Sequence, residues 1–206
     1  MNEEIVLETA AEFVKKRLGN EGSGHDWLHI DRVRRTARML SVRTDANLFV
    51  VEMAALLHDL PDRKLRTDIK MTKTEIEDFL SGLSIKKEAC SSIMHIIDTI
   101  SFNGSGASRP DSLEGQIVQD ADRLDAIGAV GIARAFIYSG SIGQPMYSIK
   151  EEEGSAIRHF HEKLLKLKDL MNTEAGKAEA AKRHLLLESY LKAFYSEIEG
   201  EGLQND

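Results

Sequence analysis

The sequence predicts an all-α fold, a single globular assembly of helices rather than a simple four-helix bundle. Apolar residues recur with the 3.6-residue period of amphipathic helices along most of the 206-residue chain. The strict alternation of apolar and polar residues that marks a half-buried strand is nearly absent. Only three prolines occur, so long stretches lack the strongest helix breaker. We expect one domain over residues 1–206, with a motif core at about 24–140 and C-terminal helices at about 150–199.

The first two helices are predicted at about residues 3–18 and 26–41. Each carries apolar side chains three and four residues apart, which places them along one face of a helix. The second helix also carries four arginines that lie largely outside its apolar stripe. We expect these to form a solvated face: Arg32, Arg34, Arg35 and Arg38.

A third helix is predicted from Asn47 to Leu57. Apart from Asn47 and Glu52 this run is apolar, which indicates a buried helix, and it ends before Pro61. Thr72 and Glu75 have the spacing of a capping box, which predicts the start of the next helix.

Five helices are expected after this point. Segments rich in glycine and serine are expected to be loops, at residues 102–108 and at about 140–145. The predicted helices cover, in order, about 74–81, 85–99, 114–137, 150–168 and 174–198.

The composition excludes several classes of protein. With 27 Lys and Arg against 34 Asp and Glu, the formal charge of -7 argues against coating of nucleic acid or anionic lipid, which requires a basic surface. The single cysteine, Cys90, excludes a disulfide framework and is interpreted as structural. No apolar run approaches the ~20 residues that span a membrane, and the acidic N-terminus is unlike a signal peptide. We expect a cytoplasmic protein.

Three clusters of polar residues interrupt apolar segments. His58 and Asp59 close the apolar third helix, and unpaired buried polar groups there would cost about 1–3 kcal/mol each. The pair either caps the end of a helix or faces a metal ion. His25 and His29 are four residues apart and share a helix face, either towards solvent or towards a ligand.

The third cluster places three acids within six residues of an apolar helix rich in small side chains. One acid there is explained by capping or an ion pair, but three are not. Asp122 and Asp125 are three residues apart, so they can face the same way. Outside these clusters, His159 and His161 are interpreted as packing residues, and His184 is expected at the surface.

Together these clusters resemble a known signature. The order His29, His58–Asp59, Asp122 resembles the H…HD…D motif of the HD-domain superfamily of metal-dependent phosphohydrolases. The strings GHDWLHIDRV, AALLHDLPDRK, DTISFNG, VQDADRLDAIGAVGIARAF and HFHEKLLKLKDLMNTEAG resemble a branch of small single-domain members. The resemblance extends from about residue 24 to 176. It implies an all-α fold, in agreement with the periodicity.

The resemblance implies that His29, His58, Asp59 and Asp122 bind a divalent metal ion, with Asp120 as the rival for the last position. Two imidazoles and two carboxylates suit Mn²⁺ best, and also Mg²⁺, Co²⁺, Ni²⁺ or Fe²⁺.

Further roles are implied around this site. Asp62 matches an acidic residue near the nucleophilic water and is the candidate general base, although it can also be a turn residue after Pro61. His95 matches a catalytic histidine that meets phosphate, and Asp125 is expected to orient a ligating histidine. For His95 and His25 the alternative is a core or surface role, and for Arg63 and Lys64 it is a solvated charge cluster. For Arg123 the alternative is a position behind the metal ligands. Candidates for substrate binding are His25, Arg63, Lys64 and Arg123.

The chain departs from the family pattern at two positions. Asn103 stands where relatives often carry a basic residue, which puts one phosphate contact in question. Arg158 stands where a smaller polar residue is expected. Neither position belongs to the implied ligand set.

The function implied is hydrolysis of a small nucleotide, with pyrophosphate release from a nucleoside triphosphate favoured. The alternatives are a metal-containing module that binds or senses nucleotides without turnover, and a nucleotide monophosphatase or phosphodiesterase. The His–Glu–x–x–His string of zinc peptidases is absent. The net negative charge of the chain is compatible with a negatively charged substrate. Several of the acids are expected to hold a cation, and this cation supplies the positive charge that binds the nucleotide. No nucleic acid or membrane partner is expected, and the chain is a monomer or a homodimer.

Overall fold

The all-α prediction is confirmed. The computed structural model describes residues 2–19, 26–62, 65, 68–100, 108–150 and 154–200. These residues contain nine α-helices, one 3₁₀ helix and no β-strand. No helix among them combines the length and the apolar character needed to cross a membrane.

The helices agree with the predicted order over most of the chain. They are α1 Glu3–Leu18, α2 Trp27–Ser41, α3 Leu48–Leu57, α4 Lys73–Gly82, α5 Lys87–Ile100, α6 Leu113–Asp125, α7 Gly128–Ser141, α8 Ala156–Glu162 and α9 Glu174–Glu199, with the 3₁₀ helix Leu164–Leu170 before α9. The chain divides into two compact units, Met1–Asp122 and Arg123–Asp206, and the boundary falls within α6. The single domain expected from the sequence stays a prediction.

In the first unit, α3 forms the centre of the core. Nine of its ten residues are buried, and α1, α2 and α5 pack against it. Asn47 caps the helix, because its side-chain oxygen accepts a hydrogen bond from the Val50 amide at 3.2 Å. The predicted capping box is also present at α4, where Thr72 and Glu75 each bond the other's backbone amide.

The predicted solvated arginine face of α2 is wrong for Arg34, whose side chain is only 21% exposed, whereas Arg38 is 64% exposed. Glu52 of α3 is only 2% exposed, and its carboxylate lies 2.7 Å from Arg34 Nε and 3.0 Å from Arg38 Nη1. A buried carboxylate needs cationic partners, and α2 supplies both from positions four residues apart. Arg35 does lie on the surface, where it pairs with Asp31 at 2.8 Å. The triad of Arg34, Arg38 and the buried Glu52 ties α2 to α3.

The single helix predicted at 114–137 is wrong, because the chain breaks between α6 and α7. Gly128 has a φ of +78°, a left-handed conformation that an L side chain rarely adopts. A Cβ at Gly131 would lie 2.3 Å from the carbonyl oxygen of Ala126. These two glycines allow the backbone to turn sharply and begin α7 against the end of α6.

The helix predicted at 150–168 is also wrong in its extent. Residues 151–153 lie outside the described residues, and α8 begins at Ala156 with Ser155 as its cap. At Lys163 the backbone leaves the helical region, and a 3₁₀ helix follows.

In the second unit, α7, α8, α9 and the 3₁₀ helix pack around aromatic side chains. Phe160 is fully buried, with its ring centroid 5.8 Å from that of Phe136 and 5.9 Å from that of Tyr190. The surface position predicted for His184 is wrong, since this residue is only 8% exposed.

Candidate metal centre

The start of α2 and the end of α3 position His29 and His58. Asp26 caps α2 and accepts a hydrogen bond from the His29 amide at 2.8 Å, which fixes His29 in the first helical turn. α3 ends at Leu57, so His58 and Asp59 occupy the turn that follows a helix that is apolar except for Glu52. The polar pair is therefore held at the edge of the core rather than inside it.

Three of these side chains form a compact cluster. His29 Nε2 lies 3.2 Å from Asp59 Oδ2, and His58 Nε2 lies 3.3 Å from Asp59 Oδ1. One ligand atom from each of the three residues lies within 4.8 Å of the others, and all three residues are buried. The cluster has the residue types and the spacing to hold a metal ion.

Asp122 of α6 approaches the same cluster. Its Oδ1 lies 3.5 Å from His29 Nε2 and 3.9 Å from His58 Nε2, and the side chain is one-third exposed. Asp120, two residues earlier on the helix, is fully buried. The structure therefore brings all four implied ligands together, and the Asp122 carboxylate, like that of Asp59, faces both imidazoles.

The ring of His58 is oriented by the helix that precedes it. Its Nδ1 lies 2.9 Å from the carbonyl oxygen of Ala55. A carbonyl only accepts hydrogen bonds, so Nδ1 carries a proton, and in the neutral ring the lone pair is on Nε2. This Nε2 is buried and has no hydrogen-bond partner among the described residues. Since a buried lone pair without a partner is unfavourable, a metal ion fits this arrangement.

Asp62 lies in a tight turn after the cluster. Its amide donates to the Asp59 carbonyl at 2.9 Å, and its own carbonyl accepts from Leu65 at 3.2 Å. The residue is half-buried. The turn role weighed for Asp62 is thus present in the backbone, and the proton-accepting role of its side chain stays a prediction.

The other predicted site residues of the first unit fall into two groups. His25, Arg63, Lys64 and Asn103 lie outside the described residues. His95 is exposed on α5, where its Nε2 lies 2.9 Å from Asp111 Oδ1, and it is not a member of the compact cluster. This hydrogen bond from His95 lowers the pKa of Asp111 below the ordinary value.

Arg123 and Asp125 belong to the second unit. Arg123 is buried and donates from Nη1 to the carbonyl of Leu170. Asp125 is buried and pairs with Arg134. Each side chain thus has a partner within its own unit, and the predicted contacts with substrate and with a ligating histidine stay predictions.

Sequence reasoning missed two contacts that support this region. The triad of Arg34, Arg38 and Glu52 joins the helix that carries His29 to the helix that leads to His58. A signal was available, since Glu52 is the one charge in α3 and the two arginines have helical spacing.

The second missed contact holds the chain that follows the cluster. Arg17 of α1 donates from Nε to the carbonyl of Ile69 and from Nη2 to that of Lys70. The same segment is closed by a 2.8 Å hydrogen bond from the Met71 amide to the Leu60 carbonyl. No sequence signal identifies Arg17, because its partners are backbone carbonyls more than 50 residues away.

Comparisons with known proteins agree with this geometry. Residues 27–127 match the family model of the HD domain. The chain is 44% identical over 190 residues to the uncharacterised protein YpgQ of Bacillus subtilis, a match that covers 91% of each chain.

Solved structures extend the comparison over almost the whole chain. The crystal structure of B. subtilis YpgQ in complex with ADP has a TM-score of 0.85 at 41% identity, covering 96% of this chain and 97% of that one. A crystal structure of an HD-superfamily hydrolase from Bacillus thuringiensis has a TM-score of 0.80 at 41% identity, with 96% and 99% covered. With its histidines and aspartates gathered as described and its relatives similar over nearly their full length, the chain belongs to the HD-domain superfamily of hydrolases.

Proposed function

We propose that this chain is a divalent-metal-dependent phosphohydrolase that acts in the cytoplasm on a small nucleotide. The favoured reaction is hydrolysis of a nucleoside triphosphate to a monophosphate and pyrophosphate. The observation that carries the proposal is the buried Nε2 of His58, which lies beside the Asp59 carboxylate and has no hydrogen-bond partner among the described residues. The ADP in the crystal structure of the relative YpgQ supports a nucleotide as the ligand.

His29, His58, Asp59 and Asp122 would hold the ion, and Mn²⁺ is the proposed occupant because this mixed donor set suits it. A divalent ion there supplies a Lewis acid that acidifies water and offsets charge on a phosphate oxygen. The carboxylates of Asp59 and Asp122 offset the charge of the ion inside a largely buried site.

The remaining residues are assigned by the resemblance. Asp62 accepts the proton of the attacking water. It lies in the turn that follows the cluster, three residues after the ligand Asp59. His95 contacts the phosphate, and Asp125 orients a ligating histidine. The phosphates and the nucleoside are bound by His25, Arg63, Lys64 and Arg123.

A binding module without turnover is the second candidate. The ADP complex of YpgQ is an observation of binding, and intact ligands do not by themselves produce a reaction. A monophosphatase or phosphodiesterase with the same ligand set is the third. The bond that is cleaved separates these enzymes, because each releases a different product.

The test is a screen of the purified, metal-loaded chain against nucleoside mono-, di- and triphosphates and cyclic nucleotides, with phosphate and pyrophosphate measured separately. We expect pyrophosphate from triphosphates, and a loss of at least about 100-fold in Asp59→Asn, because a ligand carboxylate is removed at nearly constant volume. Asp31→Asn is the matched control, since Asp31 pairs with Arg35 on the surface.

The outcomes separate the candidates. Phosphate from monophosphates alone, or opening of cyclic nucleotides alone, identifies the third candidate. A folded, metal-loaded chain that binds nucleotide and turns over none of them identifies the binding module.

A further inference from the structure

One stretch of the second unit is nearly free of charge. The 24 residues from Ala126 to Ile149 contain a single charged residue, Arg134. The chain as a whole is 30% charged, so an average stretch of this length holds about seven charges. Arg134 itself is paired with Asp125. The stretch therefore offers no free charge to solvent or to a partner.

The same stretch leaves large apolar side chains exposed. Val130 and Ile137 are seven residues apart on α7, so they lie on one side of this helix, with Ala133 and the ion-paired Arg134 between them. A Cβ added at Gly140 would meet nothing within 4 Å, so the surface around this end of the helix is open. Six side chains, with exposures from 41% to 89%, make up what we call the α7 patch: Val130, Ile137, Tyr138, Ile142, Met146 and Ile149.

Apolar residues exposed elsewhere differ in their surroundings. Leu185 of α9 is 62% exposed, as is Ile137. Leu186 beside it is 45% exposed, and the neighbours of this apolar pair along the helix include Lys182, Arg183 and Glu188, so charged groups flank it. Exposed apolar residues with charged neighbours are normal in folded proteins, whereas six large apolar side chains exposed within 20 residues, with one ion-paired charge among them, favour an interaction surface.

We propose that the α7 patch is the surface through which two copies of this chain form a homodimer. Its six side chains expose roughly 600 Å² per copy, close to the about 800 Å² that each partner contributes to a standard interface. Contacts made by the rim of the patch add to this area. An interface related by a twofold axis uses the same surface on both copies, which an uncharged patch allows.

The distribution of charge favours a second copy over other partners. Each copy carries a formal charge of -7, so two copies repel each other wherever charged surfaces meet. The α7 patch is where they can approach without this repulsion. A strongly charged partner finds no complementary group there, and a membrane-surface helix would need Lys and Arg along its polar side.

The test is the molar mass of the full-length chain in solution, measured by light scattering after size exclusion up to about 100 µM. We expect a dimer for the wild type. Ile137→Glu is expected to raise the dissociation constant at least about 100-fold, because it places two carboxylates in an apolar contact. Leu185→Glu is the matched control, with the same exposure in the same unit, and is expected to stay dimeric.

Circular dichroism and thermal unfolding show whether each variant is folded, and Ile142→Lys decides the outcome if Ile137→Glu does not fold. Two results overturn the proposal. One is a wild-type chain that is monomeric at about 100 µM. A monomer that sediments with phosphatidylcholine vesicles, and loses this binding when the α7 patch is substituted, counts as the same result. The other is a dimer that persists unchanged in both folded patch variants.

Discussion

The two ring nitrogens of His58 have separate partners, and this separation defines the candidate centre. Nδ1 donates to the Ala55 carbonyl of the preceding turn, and Nε2 faces Asp59 Oδ1 at 3.3 Å. The adjacent residues His58 and Asp59 can both face one point because the chain leaves α3 between Leu57 and His58. The ligand geometry thus follows from where the helix ends.

Substitutions of two neighbouring aspartates, Asp120 and Asp122, test which of them is the fourth ligand. Asp122→Asn is expected to weaken Mn²⁺ binding by at least about 10-fold, since its Oδ1 lies near both imidazoles. Asp120→Asn is expected to lower the free energy of unfolding while the dissociation constant for Mn²⁺ stays within about two-fold, because Asp120 is fully buried. Titration calorimetry with Mn²⁺ measures both, and the reverse pattern would make Asp120 the ligand.

At the scale of elements, the position of α2 against α3 depends on the buried carboxylate of Glu52. Arg34 is the more buried of its two partners, with 21% of the side chain exposed against 64% for Arg38. Arg34→Ala is expected to lower the free energy of unfolding by about 2–3 kcal/mol, because it leaves Glu52 partly unpaired. Arg38→Ala is expected to lower it by less than about 1 kcal/mol. Urea unfolding measures the difference, and equal effects would contradict this assignment.

The break between α6 and α7 yields a second prediction at this scale. Gly131→Ala is expected to destabilise the chain by at least about 2 kcal/mol, because its Cβ would meet the backbone oxygen of Ala126 at 2.3 Å. Gly140→Ala on the same helix meets nothing within 4 Å and is expected to stabilise by up to about 1 kcal/mol. Thermal unfolding of dilute samples compares the two. A neutral Gly131→Ala would mean that the break does not require glycine.

The sequence predicts those helices whose ends depend on interactions between residues close together in the chain. Periodicity and capping residues act within a few positions, so α1 to α5 and α9 are predicted to within about two residues. The turn at Ala126 was not predicted, because the sequence around Gly128 and Gly131 is compatible both with a continuous helix and with a break in the helix. Residue types indicated the ligands only through the family resemblance, and the tautomer of His58 depends on coordinates.

At the scale of the whole molecule, metal binding is expected to stabilise one unit selectively. All four implied ligands lie within Met1–Asp122. At 100 times its dissociation constant, Mn²⁺ is expected to add about 2.7 kcal/mol of stability to the state that binds it. Hydrogen exchange followed by mass spectrometry should show slower exchange in α2, α3 and α6 after metal addition. Protection confined to α8 and α9 would place the ion elsewhere.

The central claim is that one ion held by His29, His58, Asp59 and Asp122 supports hydrolysis of a nucleotide. It is tested most directly by titrating Mn²⁺ into the metal-free chain while pyrophosphate release from nucleoside triphosphates is recorded. The account predicts that the rate rises with Mn²⁺ and saturates at about one ion per chain. It also predicts no such rise in Asp59→Asn. A folded wild-type chain that binds Mn²⁺ and releases no pyrophosphate at any metal concentration would contradict the account.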